Sequence, residues 1–213
     1  YAASAGNWIM RHEPEIWART AKYVMLPTYL NYKLTGNLID SASNQIGHIP
    51  FDYKNRRWMK PGSLTRCFCD VPNEKLCDLV PSGTVIGTIT DEVSALTGIP
   101  AGLPLISTGS DKGCETLGLA VVDSDKASIS LGTTATIQFS TTQYVEPQQF
   151  LPAYPGVLND HYNPEIEIYR GLWLLSWFVK EFGTADAIDA KEMGMAPEAL
   201  LDARIRDLPA GSD

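Results

Sequence analysis

The sequence predicts an α/β fold, and three observations support this prediction. Short apolar runs end in polar, glycine-containing turns, as at residues 103–111 (LPLISTGSD) and 130–136 (SLGTTAT). These runs alternate with helical stretches that carry proline near their start and glycine at their end, as at residues 27–36. The chain has 213 residues, of which 44% are hydrophobic, so it can bury a core as one large domain or two smaller ones.

The first residues predict a helical layer. Pro14 lies between two glutamates and suits the first turn of a helix, which we expect to continue to about Lys22. A second helix is predicted to begin at Pro27 and to end at Gly36, because glycine readily adopts the left-handed conformation that follows a helix.

The composition of the sequence changes in the middle of the chain. Residues 40–81 contain short polar and aromatic pieces separated by turn signals, and they predict a small region of turns and short helices. Residues 85–89 predict a short strand, and Thr90 then caps a helix that Gly98 ends.

Asp111 is the first candidate site residue. It follows a predicted strand over residues 103–107 and opens the next helix, and ligands of α/β sheets commonly lie at such strand ends. A carboxylate placed there can receive the proton of a reacting hydroxyl group. A helix N-cap is the simpler structural role for the same residue, and the residues alone leave both roles open.

A second candidate site lies after a change of composition at residues 122–126, where we predict a domain boundary between residues 122 and 123. Two strands, at 127–131 and 135–140, are joined by a Gly-Thr-Thr turn and predict a hairpin. The backbone N–H groups and hydroxyls of this turn can hold phosphate oxygens. An ordinary hairpin turn with β-favouring threonines is the alternative interpretation.

The remaining residues predict loops followed by two helices. Residues 143–169 are rich in proline and tyrosine and are interpreted as loops and edge strands. Residues 172–179 (LWLLSWFV) are apolar on nearly all sides and predict a helix that is buried between layers and ends at Gly183. A further helix is predicted to start near Pro197.

Composition excludes several classes of protein. The net charge of −8 argues against a large nucleic-acid footprint, which requires a basic surface. No apolar stretch approaches the roughly 20 residues that cross a bilayer, and no signal-peptide pattern is visible, so we expect a cytoplasmic protein without a membrane partner.

The cysteines and histidines do not predict a metal site. Their spacings match no standard zinc pattern, so we expect reduced structural thiols and histidines without a catalytic or ligand role. These residues are Cys67, Cys69, Cys77, Cys114, His12, His48 and His161.

An ordered series of short motifs resembles the FGGY family of carbohydrate kinases, which includes xylulokinase, glycerol kinase and ribulokinase. Each motif is weak alone, but their order and spacing across most of the chain indicate this family. The resemblance is thinner after about residue 143 and returns at residues 209–213 (PAGSD). The motifs are residues 27–36 (PTYLNYKLTG), 40–43 (DSAS), 57–58 (RW), 80–83 (VPSG), 87–90 (GTIT), 96–102 (LTGIPAG), 109–111 (GSD) and 130–134 (SLGTT).

The resemblance implies an actin-like, ribonuclease H-like two-domain fold, of which this chain covers only part. Residues 1–122 would form the back of the first, sugar-binding domain, and residues 123–213 the front of the second, nucleotide-binding domain. The family's opening phosphate-binding strand and its adenosine-binding part have no counterpart in the sequence. We therefore expect the chain alone to be inactive or nearly so.

The resemblance also implies an enzyme that uses ATP and Mg²⁺ to phosphorylate a hydroxyl of a pentulose, polyol or related sugar. Asp111 matches the family's catalytic base and would contact the sugar. Lys112 lies beside it, where many relatives carry an amide that touches the substrate. Gly132, Thr133 and Thr134 match the turn that contacts nucleotide phosphates.

Two departures from the family pattern bear on this interpretation. Lys112 would either pair with Asp111 and weaken it as a base, or recognise a more polar or acidic polyol. Leu172 and Trp173 stand where relatives usually carry small residues that admit the nucleotide, so only Gly171 is assigned here as a phosphate contact.

These departures support one alternative, a non-catalytic actin-like module that binds a sugar or a partner. An ATP-hydrolysing scaffold with the same fold is a third interpretation, and it would not need a sugar-hydroxyl base. A homodimer is compatible with the sequence, which identifies neither the sugar nor the hydroxyl that is phosphorylated.

Overall fold

The computed structural model describes residues 2–47, 50–209 and 211. The sequence-based assignments of His48, Ala210, Ser212 and Asp213 lie outside these residues. Within them, the chain forms eight α-helices and eleven short β-strands. The helices are α1 (Ala2–His12), α2 (Pro14–Arg19), α3 (Leu26–Thr35), α4 (Asp91–Thr97), α5 (Asp111–Gly118), α6 (Trp173–Glu181), α7 (Thr184–Glu192) and α8 (Pro197–Ile205).

The strands form five small sheets in the described part of the chain. Strand β1 pairs in parallel with β4, whereas the pairs β2–β3, β5–β6 and β9–β10 are antiparallel. The fifth sheet has three strands in the order β11–β8–β7. The strands are β1 (Ile39–Ser41), β2 (Phe51–Asp52), β3 (Arg57–Trp58), β4 (Asp78–Val80), β5 (Val85–Thr88), β6 (Pro104–Ile106), β7 (Ser128–Leu131), β8 (Ala135–Gln138), β9 (Tyr154–Pro155), β10 (Tyr162–Asn163) and β11 (Glu165–Ile168).

Local capping signals are confirmed where the sequence contained them. Gly36 and Gly98 adopt left-handed conformations, with φ of 80° and 78°, at the ends of α3 and α4. The Thr90 side chain caps α4 by accepting from the Val93 N–H. The predicted extension of α2 to Lys22 is wrong, because the helix ends at Arg19 and Thr20 is extended.

The interpretation of residues 40–81 is confirmed only in part. Three short 3₁₀ helices and the β2–β3 hairpin lie there, as expected for a region of turns. The parallel pair β1–β4 was not predicted and borders this region, with Asp40 opposite Leu79. Strands of three residues are too short to show a periodic pattern in the sequence.

Packing divides the chain into two compact units. The first contains residues Tyr1–Ser128 and Gln138–Glu165, and the second contains Ile129–Ile137 and Ile166–Asp213. The predicted domain boundary between residues 122 and 123 rests on a change of composition. The division by packing does not test that boundary, which stays a prediction.

The first unit has a small apolar core around Cys69, Val71 and Leu76, against which Trp17 and Trp58 pack. All four cysteines are free thiols. Cys69 and Cys77 are buried, whereas the other two are exposed. Burial is the main cause that raises the pKa of the Cys77 thiol to about 11, so this thiol is protonated and unreactive at neutral pH.

The second unit contains α6, α7 and α8, and here one prediction is wrong. Helix α6 has no buried residue, and Leu174, Trp177 and Phe178 are each about 40% exposed. Helices α7 and α8 contact α6 without covering its whole circumference. Helix α7 was not predicted, because its alternating alanines and aspartates lack an apolar stripe.

Candidate active site

Asp111 is the first residue of α5 and follows the turn after β6. Ser110 is the N-cap, since its side-chain oxygen accepts from the Gly113 N–H at 3.1 Å. The N-cap role that the sequence left open for Asp111 therefore belongs to Ser110. Asp111 instead occupies the first helical turn, where the helix dipole stabilises a negative charge.

The Asp111 carboxylate is exposed. Its Oδ1 accepts from the Lys112 backbone N–H at 2.7 Å, which limits the rotation of the side chain. An exposed carboxylate in a fixed orientation can meet the hydroxyl group of an incoming substrate and receive its proton.

The Lys112 ammonium forms a salt bridge with Glu115, with Nζ 2.8 Å from Oε2. This hydrogen bond is the largest cause that raises the pKa of Lys112, and the charge of Asp111 adds a smaller contribution. The ammonium group is thus held by Glu115, and the two roles that the sequence left open for Lys112, pairing with Asp111 or recognition of a polar or acidic polyol, stay predictions.

The turn before Asp111 is closely packed. The Ser110 N–H donates to the Ser43 carbonyl oxygen at 3.2 Å. A Cβ atom at Gly109 would lie 2.6 Å from Cγ2 of Val157, so only glycine fits without a shift. Sequence reasoning assigned no role to Ser43 or Val157. Ser43 belongs to the motif at residues 40–43, and this motif was the one sequence feature that could have indicated its role.

The turn between β7 and β8 lies in the second unit, together with Gly171. The Gly171 N–H donates to the Thr133 carbonyl at 2.9 Å, and the Leu172 N–H donates to the Gly132 carbonyl at 3.1 Å. The structure thus brings Gly171 against residues 132–134, which the sequence linked only through the family pattern. Asp111 and Lys112 belong to the first unit.

The side of this turn next to α6 is open to a ligand. A pocket of about 420 Å³ is lined by Leu131, Ala135, Gly171 and Leu172 together with apolar residues of α6. Leu172 forms part of its wall and does not fill it. The Arg170 guanidinium lies 5.5 Å from the centroid of a Trp173 ring. Space for a small molecule therefore exists beside the turn, despite the bulk of these residues.

Within the described ranges, no three His, Cys, Asp or Glu side chains converge as a metal site. Over the same residues, no helix is long and apolar enough to span a membrane.

Comparison with known proteins identifies the family of the chain. Residues 1–118 match the FGGY family of carbohydrate kinases, N-terminal domain. The chain is 32% identical over 184 residues to "uncharacterized sugar kinase YgcE" of Escherichia coli K12, an alignment that covers 86% of this chain and 37% of that protein. It is 28% identical over 208 residues to an autoinducer-2 kinase of Klebsiella pneumoniae, over 96% of this chain and 38% of the relative.

The fold also matches solved structures. A xylulose kinase from Rhodospirillum rubrum superimposes with a TM-score of 0.77 at 21% sequence identity, over 99% of this chain and 41% of that one. The predicted actin-like α/β fold is thereby confirmed. The chain spans between 37% and 41% of the length of these three proteins. The family match extends over more than half of the chain, and this protein therefore belongs to the FGGY family of carbohydrate kinases.

Proposed function

We propose that the polypeptide containing this chain is a kinase that transfers the γ-phosphoryl group of ATP to a hydroxyl of a pentulose, polyol or related sugar. One observation carries the assignment of the base. An exposed carboxylate, Asp111, is fixed at the start of α5 by the Ser110 cap and by the tightly packed Gly109. The family match supports the class of reaction.

In the proposed reaction, Asp111 accepts the proton of the sugar hydroxyl as the hydroxyl oxygen attacks the γ-phosphorus. The bond between the γ-phosphorus and the β–γ bridging oxygen breaks, and ADP leaves with the electron pair. A positioned general base contributes typically 10²- to 10⁴-fold to such a step. Most of the remaining acceleration comes from positioning and from charge stabilisation around the phosphoryl group.

Gly132, Thr133 and Thr134 are proposed to contact the nucleotide phosphates. Gly171 supports this turn, since its N–H holds the Thr133 carbonyl and its lack of a side chain permits the close approach. Mg²⁺ would arrive bound to the phosphates of ATP and neutralise part of their charge. We assign no protein ligand to the ion, and none of the described residues forms a cluster that requires one.

The substrate class is proposed from the neighbourhood of Asp111. Lys112 provides a cation beside the base, and the salt bridge with Glu115 holds that cation in place. A sugar acid or another polar polyol would be recognised by this ammonium group more readily than a simple alcohol. The relatives named for sugar, autoinducer-2 and xylulose kinase activities define a reasonable first panel.

The test is sugar-dependent ATP consumption by the complete polypeptide in which this sequence occurs, measured across ketoses, polyols and sugar acids. Phosphorylated product is identified by mass spectrometry. We expect turnover with one substrate or a narrow group of substrates. ATP binding without turnover on any member of the panel would favour the non-catalytic module.

A further inference from the structure

A buried group of three hydroxyls lies beneath the turn that carries Asp111. We define this serine cluster as Ser41, Ser43 and Ser82, which are 0%, 5% and 6% exposed. Ser41 ends β1, Ser43 lies in the 3₁₀ turn that follows it, and Ser82 follows β4, so the parallel β1–β4 pair brings the three together. The Ser82 Oγ lies 3.0 Å from the Oγ of Ser41 and 3.0 Å from that of Ser43.

The direction of these hydrogen bonds follows from proton counting, because a serine hydroxyl can donate only once. The Ser43 Oγ lies 2.6 Å from the Gly156 carbonyl oxygen, which can only accept, so Ser43 donates there. Ser43 must therefore accept from Ser82. Ser82 shares its proton between the Ser43 Oγ and the Thr108 carbonyl oxygen at 2.9 Å, and Ser41 donates to Ser82.

The two acceptors of the Ser82 proton, the Thr108 carbonyl and the Ser43 hydroxyl, belong to residues that form or contact opposite ends of the turn at Gly109. The Thr108 carbonyl precedes Gly109 and is held by the Ser82 hydroxyl. The Ser110 N–H follows Gly109 and is held by the carbonyl of Ser43. Ser82 is thus a side chain connected to both ends of the turn, at one end directly and at the other through Ser43.

We propose that Ser82 is a positioning residue for Asp111, a proposal that rests on the assignment of Asp111 as the base. By fixing the Thr108 carbonyl and Ser43, it sets the direction in which α5 starts and hence the location of the Asp111 carboxylate. Loss of the Ser82 hydroxyl removes its hydrogen bonds to the Thr108 carbonyl and to Ser43, which releases the turn. Displacement of a catalytic group by about 1 Å can lower a rate on the order of 100-fold.

Ser107 provides a matched control. It is 4% exposed and also carries a buried hydroxyl near the same turn. Its Oγ donates to the Pro81 carbonyl at 2.9 Å and accepts from the Thr84 N–H at 3.1 Å. These bonds hold the connection between β4 and β5, and not the residues on either side of Gly109. Ser107→Ala therefore removes comparable packing without releasing the turn.

The experiment compares Ser82→Ala, Ser107→Ala, Asp111→Asn and the Ser82→Ala/Asp111→Asn double variant in the complete polypeptide. For Ser82→Ala we expect kcat to fall roughly 10- to 100-fold while the KM for ATP changes by less than about threefold. Ser107→Ala should retain kcat within about threefold. In the Asp111→Asn background, Ser82→Ala should cause no further loss, because the positioned group is already absent.

Amide hydrogen exchange of a peptide covering residues 109–113 gives a readout that does not depend on turnover. Exchange should be faster in Ser82→Ala and unchanged in Ser107→Ala. Equal losses of kcat in the two alanine variants, an additive double variant, or unchanged exchange in Ser82→Ala would overturn the proposal. Full turnover by Asp111→Asn would instead overturn the assignment of Asp111 as the base, and the role of Ser82 with it. A lack of sugar-dependent turnover by the unmodified protein would overturn the proposed function, so the failures are distinguishable.

Discussion

The Gly171 N–H donates to the Thr133 carbonyl oxygen at 2.9 Å, and this hydrogen bond joins the start of α6 to the turn between β7 and β8. A Cβ atom at residue 171 would lie 2.1 Å from the Gly132 oxygen. Glycine is therefore required here because two backbone segments approach closely, and not because of an unusual φ angle.

Gly171→Ala should destabilise the second unit and weaken nucleotide binding. The added methyl group meets backbone atoms that cannot move independently, and overpacking of this kind costs about 1–3 kcal/mol. Equilibrium unfolding and ATP titration measure the two effects. Gly118→Ala is the control, since a Cβ there has open space and alanine favours a helix. A Gly171→Ala variant as stable as Gly118→Ala would contradict the described contact.

Asp40→Asn should destabilise the first unit. The buried Asp40 carboxylate accepts from the Thr28 hydroxyl at 2.7 Å, from the Ser41 N–H at 2.7 Å, and from the side chains of Asn44 and Gln45. An asparagine NH₂ group would face these donors, at a cost of about 1–3 kcal/mol in the free energy of unfolding. Urea denaturation beside the exposed Asp78→Asn, for which we expect a change below about 0.5 kcal/mol, tests this prediction.

Stability should fall in alkaline solution partly through Cys77. Its pKa is raised from 9.0 to about 11, mainly by burial, so the folded protein holds this proton more tightly than the unfolded chain. The resulting contribution is present below pH 9 and is lost as the pH rises from 9 to 11, and it amounts to about 3 kcal/mol. The fall over this range should be smaller in Cys77→Ala than in the exposed control Cys67→Ala. If the stability of the two variants fell equally between pH 9 and 11, the raised pKa of Cys77 would be contradicted.

The four thiols should differ in reactivity. Cys67 and Cys114 are exposed, whereas Cys69 and Cys77 are buried with raised pKa values. Mass spectrometry after brief alkylation at pH 8 should find label on the first pair in the native protein, and on all four only after denaturation. Rapid native labelling of Cys77 would contradict the described packing of the first unit.

Helix ends were predictable from the sequence where a single residue type, such as a glycine or a capping threonine, has a specific geometric role. Gly36, Gly98 and Thr90 marked helix ends correctly, because left-handed backbone and side-chain caps are local requirements. The burial of α6 could not be predicted, since an all-round apolar sequence does not specify how many of its sides other elements cover. Helix α7 was missed because helix-forming alanines without an apolar stripe give no periodic signal.

The candidate site was predictable only in part, for a related reason. Asp111 and the Gly-Thr-Thr turn belong to recognisable strand-end motifs. Ser82 lies 29 positions before Asp111, and its connection to that residue depends on the parallel pairing of β1 with β4 and on packing against Thr108. Ser82 belongs to the motif at residues 80–83, but its contact with the turn before Asp111 is set by tertiary structure and leaves no local pattern in a single sequence.

The measurement that tests the central claim most directly is the sugar-dependent kcat of Asp111→Asn beside Asp91→Asn. Asp91 is also an exposed first residue of a helix, and Thr90 caps that helix as Ser110 caps α5. Both substitutions therefore remove one charge from the same helical position. We predict that Asp111→Asn lowers kcat by roughly 10²- to 10⁴-fold, whereas Asp91→Asn stays within about twofold of the unmodified protein. Equal activity of the two variants would show that Asp111 is not the base.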